Sequence, residues 1–145
     1  MSDVSALENP TDTLVKALLE GMQTIAVVGF SANPERASHG VARFLAGQNL
    51  KVIGVNPGLV GQEILGLTLV ASLADIDEPI DVVNVFRRND AIPDIVAAAI
   101  TAGARAIWMQ EGVSHDEAAA AAQDAGLTVI QDRCLYKEWL RLLNG

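Results

Sequence analysis

Cysteine occurs once in these 145 residues, at Cys134. One thiol excludes an intramolecular disulfide, and a chain of this length needs none, because a domain of its size buries roughly 68–70% of the surface its unfolded form exposes. A reducing compartment, and with it a cytoplasmic location, is expected. Positive charge is also sparse: ten Lys and Arg stand against eighteen Asp and Glu, for a formal net charge of −8. That balance argues against general nucleic-acid binding, which rests on many cationic contacts with phosphates. Long apolar runs are missing, and MSDVSALENPTDTL carries acidic residues where a signal peptide has basic ones. Neither a membrane span nor secretion is expected. His39 and His115, 76 positions apart, and one cysteine make no recognisable ligand set, so no metal is expected either.

What the chain does have is an alternation of apolar runs and amphipathic segments. Asn9-Pro10-Thr11-Asp12 supplies turn and capping residues ahead of a helical stripe of Leu14, Val15, Leu18, Leu19 and Met22, and residues 1–9 read as a loose arm. Ile25 to Phe30 is apolar without alternation, as strands buried on both faces are. A helix is expected over 38–48, with Val41, Phe44 and Leu45 inward, then a strand over Lys51–Val55. A Gly-rich connection with a short strand candidate at Thr68–Val70 follows, then a strand over Asp81–Phe86. Ile92, Ile95, Val96, Ala99 and Ile100 mark a helix ending at Gly103. Arg105–Met109 reads as a strand, Ser114-His115-Asp116-Glu117 as a capping box, Leu127–Ile130 as a strand, and Leu135 to Leu143 as a closing helix. Strands alternating with helices across short loops imply a single doubly wound α/β domain. It has a parallel sheet of about five strands and helices on both faces.

Such sheets bind ligands beyond the carboxyl ends of their strands, where strand order reverses. The segments there are Gly29 to Gly40, Asn56-Pro57-Gly58, Phe86-Arg87-Arg88, Gln110-Glu111-Gly112 and Asp132-Arg133-Cys134. Arg36, Arg87, Arg88, Arg133 and Lys137 fall at or near that edge, half of the basic residues of an acidic chain. Adjacent arginines suit phosphate, since a guanidinium grips its oxygens in pairs and stays charged. The competing reading has Arg87 and Arg88 paired with Asp90 and Asp132. In the first loop, backbone amides ahead of a helix N-terminus suit a pyrophosphate, with Ser31, Asn33 and Ser38 as side-chain donors, unless Ser38 simply caps its helix.

Two absences narrow the ligand. A dinucleotide fingerprint reads G-x-G-x-x-G with an acidic residue at the end of the second strand; here no glycine follows Gly29 until Gly40, and the second strand ends Val55-Asn56-Pro57. There is no G-x-x-x-x-G-K-[ST] for a P-loop nucleotide site. An NAD(P)-binding oxidoreductase or redox sensor, with Arg87 or Arg88 on a 2′-phosphate, remains the alternative.

Several motifs together resemble a known family, the small stand-alone CoA-binding proteins with a Rossmann-like fold. They are VVG-x-S-x-N-P-x-R-x-S at Val27 to Ser38, VNP at Val55 to Pro57, ILG at Ile64 to Gly66, DVVNVFRR at Asp81 to Arg88, W-x-Q-x-G at Trp108 to Gly112, and DRC at Asp132 to Cys134. More distantly, Gln110 to Val113 is similar to a segment in the CoA-binding domain of the succinyl-CoA synthetase α subunit. The resemblance implies a site for CoA or an acyl-CoA built from Gly29, Phe30, Ser31, Asn33, Arg36, Ser38, His39, Gly40, Asn56, Pro57, Phe86, Arg87, Arg88, Gln110 and Gly112. The pyrophosphate would lie near Gly29 to Gly40, and the adenine and 3′-phosphate near Asn56-Pro57 and Arg87-Arg88. It implies a binding module, a carrier, sensor or accessory to an acyl-CoA enzyme, with no catalytic residue assigned. A homodimer and a separate enzyme partner are both compatible with it.

Other residues are open to two readings. His39 is a phosphate donor or a solvent-exposed residue of the first helical turn; His115 reads as an exposed helix-start residue. Cys134 is a reactive thiol, its pKa lowered by Arg133, Lys137 and a helix N-terminus, or a small buried hydrophobe. Glu111 has no nucleophile at a recognisable spacing. Trp108 reads as core, and Asn84 stands out as polar within an apolar strand.

Overall fold

The runs of Val, Ile and Ala form strands, and the segments with helical spacing form the helices between them. A computed structural model describes residues 8–143. In chain order the elements are α1 (Asp12–Gly21), β1 (Thr24–Val28), α2 (Ala37–Ala46), β2 (Lys51–Val55), β3 (Thr68–Val70), β4 (Val82–Val85), α3 (Ile92–Thr101), β5 (Ala106–Met109), α4 (Asp116–Asp124), β6 (Thr128–Ile130) and α5 (Leu135–Leu143). The strands form one sheet in the order β3-β2-β1-β4-β5-β6, with every pairing parallel. This is the order of a Rossmann-like doubly wound fold, and it reverses between β1 and β4. The sheet has six strands rather than five because Thr68–Val70 pairs with β2 at the edge.

Two cores flank the sheet. Helices α1, α2 and α5 bury Val15, Leu19, Val41, Leu45 and Leu135 against Ile25, Val27 and Trp108. On the other face α3 and α4 bury Val96, Ala99, Ala118 and Ala122 against Ala26, Val83 and Ile107. The alternation of β1, Ile25 and Val27 one way and Ala26 the other, explains its unbroken apolar run. Helix α5 is tied to α1 by Arg141, whose guanidinium donates to both carboxylate oxygens of Asp12 (2.8 and 2.9 Å) and to Glu138 (2.7 Å). Hydrogen bonding and charge from Arg141 hold the Asp12 and Glu138 carboxyls below their ordinary pKa.

Four local expectations differ. Leu14 and Ile100 lie at the outer margins of their helices, 59% and 36% exposed, so the inward stripes are narrower than the periodicity suggested. Residues 1–7 of the expected arm lie outside the described residues, but Asn9 is not loose. Its carboxamide brackets the Gln131 backbone, Nδ2 donating to the carbonyl (3.0 Å) and Oδ1 accepting from the amide (2.7 Å). Ser114 does not cap α4. His115 does, its Nδ1 accepting from the Ala118 amide (3.1 Å), and it is half-buried rather than exposed. Ser38 is not the cap of α2, which begins one residue earlier with Arg36 at the capping position. Among the described residues no helix is long and apolar enough to cross a membrane.

Candidate functional site

The reversal of strand order opens a crevice between the carboxyl ends of β1 and β4. At its base Gly29 takes φ +86°, and a Cβ there would stand 2.5 Å from the Phe86 carbonyl oxygen. Glycine alone meets both conditions. The chain leaving Gly29 is fastened by the helix that follows it. Ser31 N–H donates to Ser38 Oγ (3.0 Å), and His39 Nδ1–H donates to the Ser31 carbonyl (2.9 Å). Both side chains are buried, and the His39 ring stacks on Phe30 with centroids 5.7 Å apart. From β2, Asn56 Nδ2 donates to the Phe30 carbonyl (2.9 Å) while Oδ1 accepts from Gly58 N–H (2.9 Å).

Above this base lies a cleft of about 860 Å³. One wall is Gly29, Phe30, Ser31, Asn33 and Arg36, with Asn56 at one end. The other is Phe86, Arg87, Arg88 and Asn89, with Gly112 and Val113 beyond. Among the described residues Arg36 and Arg87 have no carboxylate partner. Arg88 meets Asp90 at 3.4 Å, but both side chains are largely exposed, and so loose a pair yields readily to another anion. Asp132 is engaged elsewhere, accepting from Gly112 N–H (2.7 Å). Arg133 and Lys137 are not on the cleft: they pair with Glu138 (3.2 Å) and Glu111 (3.1 Å), and the hydrogen bond Lys137 donates to Glu111 raises its pKa. Of the five cations expected at this edge, three line the cleft.

The donors also differ in detail from expectation. Amides of Ser31, Asn33 and Glu35 are engaged inside the loop, by Ser38, Ser31 and Asn33 side chains. The amides of Ala37 and Ser38, in the first turn of α2 directly after the cleft residue Arg36, have no intrahelical acceptor and sit at the helix's positive end. Ser38 and His39 stand behind the loop and hold it. Gly40 turns away from the cleft toward a separate groove shared with Phe44 and Cys134. Pro57 opens a 3₁₀ turn over a smaller cavity of about 220 Å³. Gln110 is buried off the cleft, its Oε1 without a partner among the described residues. Sequence reasoning missed Asn89 and Val113. Asn89 directly follows the arginine pair, and its Oδ1 accepts from Ser114 N–H (3.0 Å), joining the loops after β4 and β5.

A sequence profile described as a CoA-binding domain matches residues 23–139. The chain belongs to that CoA-binding domain family. Uncharacterized protein YneT of Bacillus subtilis (strain 168) is 38% identical over 129 residues, covering 89% of this chain and 94% of that one. Among solved structures, cell-free ID.343 from Thermus thermophilus superposes with a TM-score of 0.88 at 38% identity, covering 92% of this chain and 99% of that one. A hypothetical protein from Pyrococcus horikoshii OT3 superposes with a TM-score of 0.87 at 34% identity, covering 92% and 93%.

The remaining polar residues of this CoA-binding domain are held within the fold, except that the buried Asn84 Oδ1 has no partner among the described residues. Trp108 is core, its Nε1 donating to the Arg133 carbonyl (2.9 Å). Asn84 reaches from β4 to donate to the Trp108 carbonyl (3.1 Å). Glu111 is exposed and tied to Lys137, and Cys134 is half-buried. Among the described residues no three His, Cys, Asp or Glu side chains gather as a metal would require.

Proposed function

We propose that this CoA-binding domain holds CoA or an acyl-CoA in the cleft and acts as a carrier, sensor or accessory module rather than as a catalyst. The observation that carries the reading is the pair Arg36 and Arg87, without carboxylate partners among the described residues, on opposite walls of a cleft, with the N-terminus of α2 directly after Arg36. CoA has a pyrophosphate and a 3′-phosphate, more anionic groups than NAD, and suits a site with several cations. The pyrophosphate is assigned to the first turn of α2 and Arg36. The adenine and 3′-phosphate are assigned to the Asn56 end with Arg87 and Arg88. Where a dinucleotide site carries a carboxylate for the ribose hydroxyls, the second strand here ends in the neutral Asn56, whose carboxamide is already bonded to Phe30 and Gly58.

Calorimetric titration of the protein with CoA, acetyl-CoA, NAD and ATP tests this. Saturable heat with the CoA species and little with NAD or ATP is expected; no saturable heat with any CoA species removes the reading. The cytoplasmic setting and a separate enzyme partner belong to the same proposal. Co-purification from native extract tests the partner.

A further inference from the structure

Behind the cleft, on the far side of α2, runs a second cavity of about 530 Å³. Its lining is Ala37, Gly40, Val41, Arg43 and Phe44 of α2, facing Cys134 and Tyr136 at the start of α5. Apart from Arg43 these side chains are mostly apolar, whereas three arginines line the cleft. The two cavities meet at consecutive residues, Arg36 lining one and Ala37 the other. Strand order puts this junction on the side away from β3, because α5 follows β6 at the opposite edge of the sheet.

Gly40 is the informative residue. It lies inside a helix, where glycine is less stable than alanine, and neither of the usual demands for glycine applies. Its φ is not in the left-handed region, and a Cβ built on it meets nothing within 4 Å. The missing side chain leaves open space in the middle of the groove. On the same sheet face, two residues beyond Trp108, Gln110 buries an amide oxygen with no partner among the described residues. It is an acceptor left over by the fold.

We infer that this groove receives the acyl end of a medium-chain acyl-CoA whose phosphates lie on the cleft. The inference rests on the CoA reading above and narrows it to a ligand class. An acyl-CoA is charged at one end and apolar at the other, and the two neighbouring cavities divide in the same way. From Ala37 to Phe44 the helix face is about 10 Å long, the span of a medium-length chain rather than a long one.

Titration of the full chain with CoA, acetyl-, butyryl-, hexanoyl-, octanoyl- and palmitoyl-CoA tests this. Affinity should rise about fourfold for each added methylene, the equivalent of about 0.8 kcal/mol, and level off near eight carbons, since roughly that length fills the groove. In Gly40→Leu, which fills the groove, the ratio of octanoyl-CoA to CoA affinity should fall toward one. Binding of CoA with no dependence on chain length overturns the inference and leaves the cleft reading standing. A chain-length dependence that survives Gly40→Leu also overturns it, by placing the chain elsewhere. So does a change in sedimentation mass in Gly40→Leu with that ratio unaltered, which makes the groove a contact between copies. Absence of binding by every CoA species defeats the cleft reading first.

Discussion

Gly29 and Phe86 approach so closely that a single methyl group on the glycine would stand 2.5 Å from the phenylalanine carbonyl oxygen. They directly follow β1 and β4, the two strands between which the strand order reverses. The contact lets the two walls of the cleft share one base. Gly29→Ala therefore has to strain the loop at φ +86° and push the walls apart. A loss of about 1–3 kcal/mol is expected, read as a lower urea midpoint, together with weaker CoA binding. An unchanged midpoint means that the backbone there is freer than its geometry implies.

Arg87 and Arg88 are neighbours with different surroundings, since only Arg88 has a carboxylate, Asp90, within reach. Arg87→Ala should weaken CoA binding about tenfold or more, as loss of a charge-assisted phosphate contact does, and Arg88→Ala by less. Both effects should shrink in high salt, because exposed charge interactions are screened over about 10 Å at 0.1 M. Titrations at two ionic strengths decide it. Equal affinities for Arg87→Ala and the parent protein at low salt take Arg87 out of the site.

Ser38 and His39 are expected to act on the loop rather than on the ligand. Ser38→Ala removes the acceptor of the Ser31 amide, and His39→Ala removes both a hydrogen bond to Ser31 and the ring stacked on Phe30. The serine change should cost about 1 kcal/mol and the histidine change about 1–3 kcal/mol in chemical denaturation. Hydrogen exchange at the Ser31 amide should rise in both variants. Stability losses without faster exchange in the loop would assign these residues to the core alone.

Glu138 gives the fold a dependence on acid. Its carboxylate is 12% exposed and accepts from Arg141 and Arg133, which hold its pKa below the ordinary 4.5. A carboxyl whose pKa is lower when folded stabilises fully above its unfolded value, and loses that contribution as pH falls through the folded one. Thermal stability should therefore decline below about pH 4.5. In Glu138→Gln that part of the decline should be smaller, with a loss of about 1–2 kcal/mol at pH 7. Parallel acid profiles for the two proteins would show that Glu138 does not contribute.

Much of this molecule is legible from its residues because its strands are buried on both faces, and runs such as Thr24–Val28 and Val82–Val85 are short and rich in β-branched residues. The edge strand Thr68–Val70 is short and only partly buried, so its pattern is weak until β2 is in place beside it. At the site, glycine and arginine positions are visible in sequence because their chemistry is local. Pairings across the fold are not. Arg133 and Lys137 sit at a suitable strand end, yet the direction of α5 and the placing of Glu111 hand both to carboxylates. His39 looks like a surface residue of a first helical turn until the loop eight residues earlier folds back over it. The cap of α4 shows the same limit, since an imidazole accepting from Ala118 competes with a Ser-x-x-Glu pattern that favours Ser114.

The bonds from Ser38, His39 and Asn56 to the loop after β1 also bear on the thermodynamics of binding. These contacts are within the protein, so they form when the chain folds and not when a ligand arrives. The entropy of fixing the loop is thus already paid, and the incoming molecule gives up mainly its own freedom. A receptor prepared in this way should bind with little change in its own heat capacity beyond that of the apolar surface the ligand itself covers.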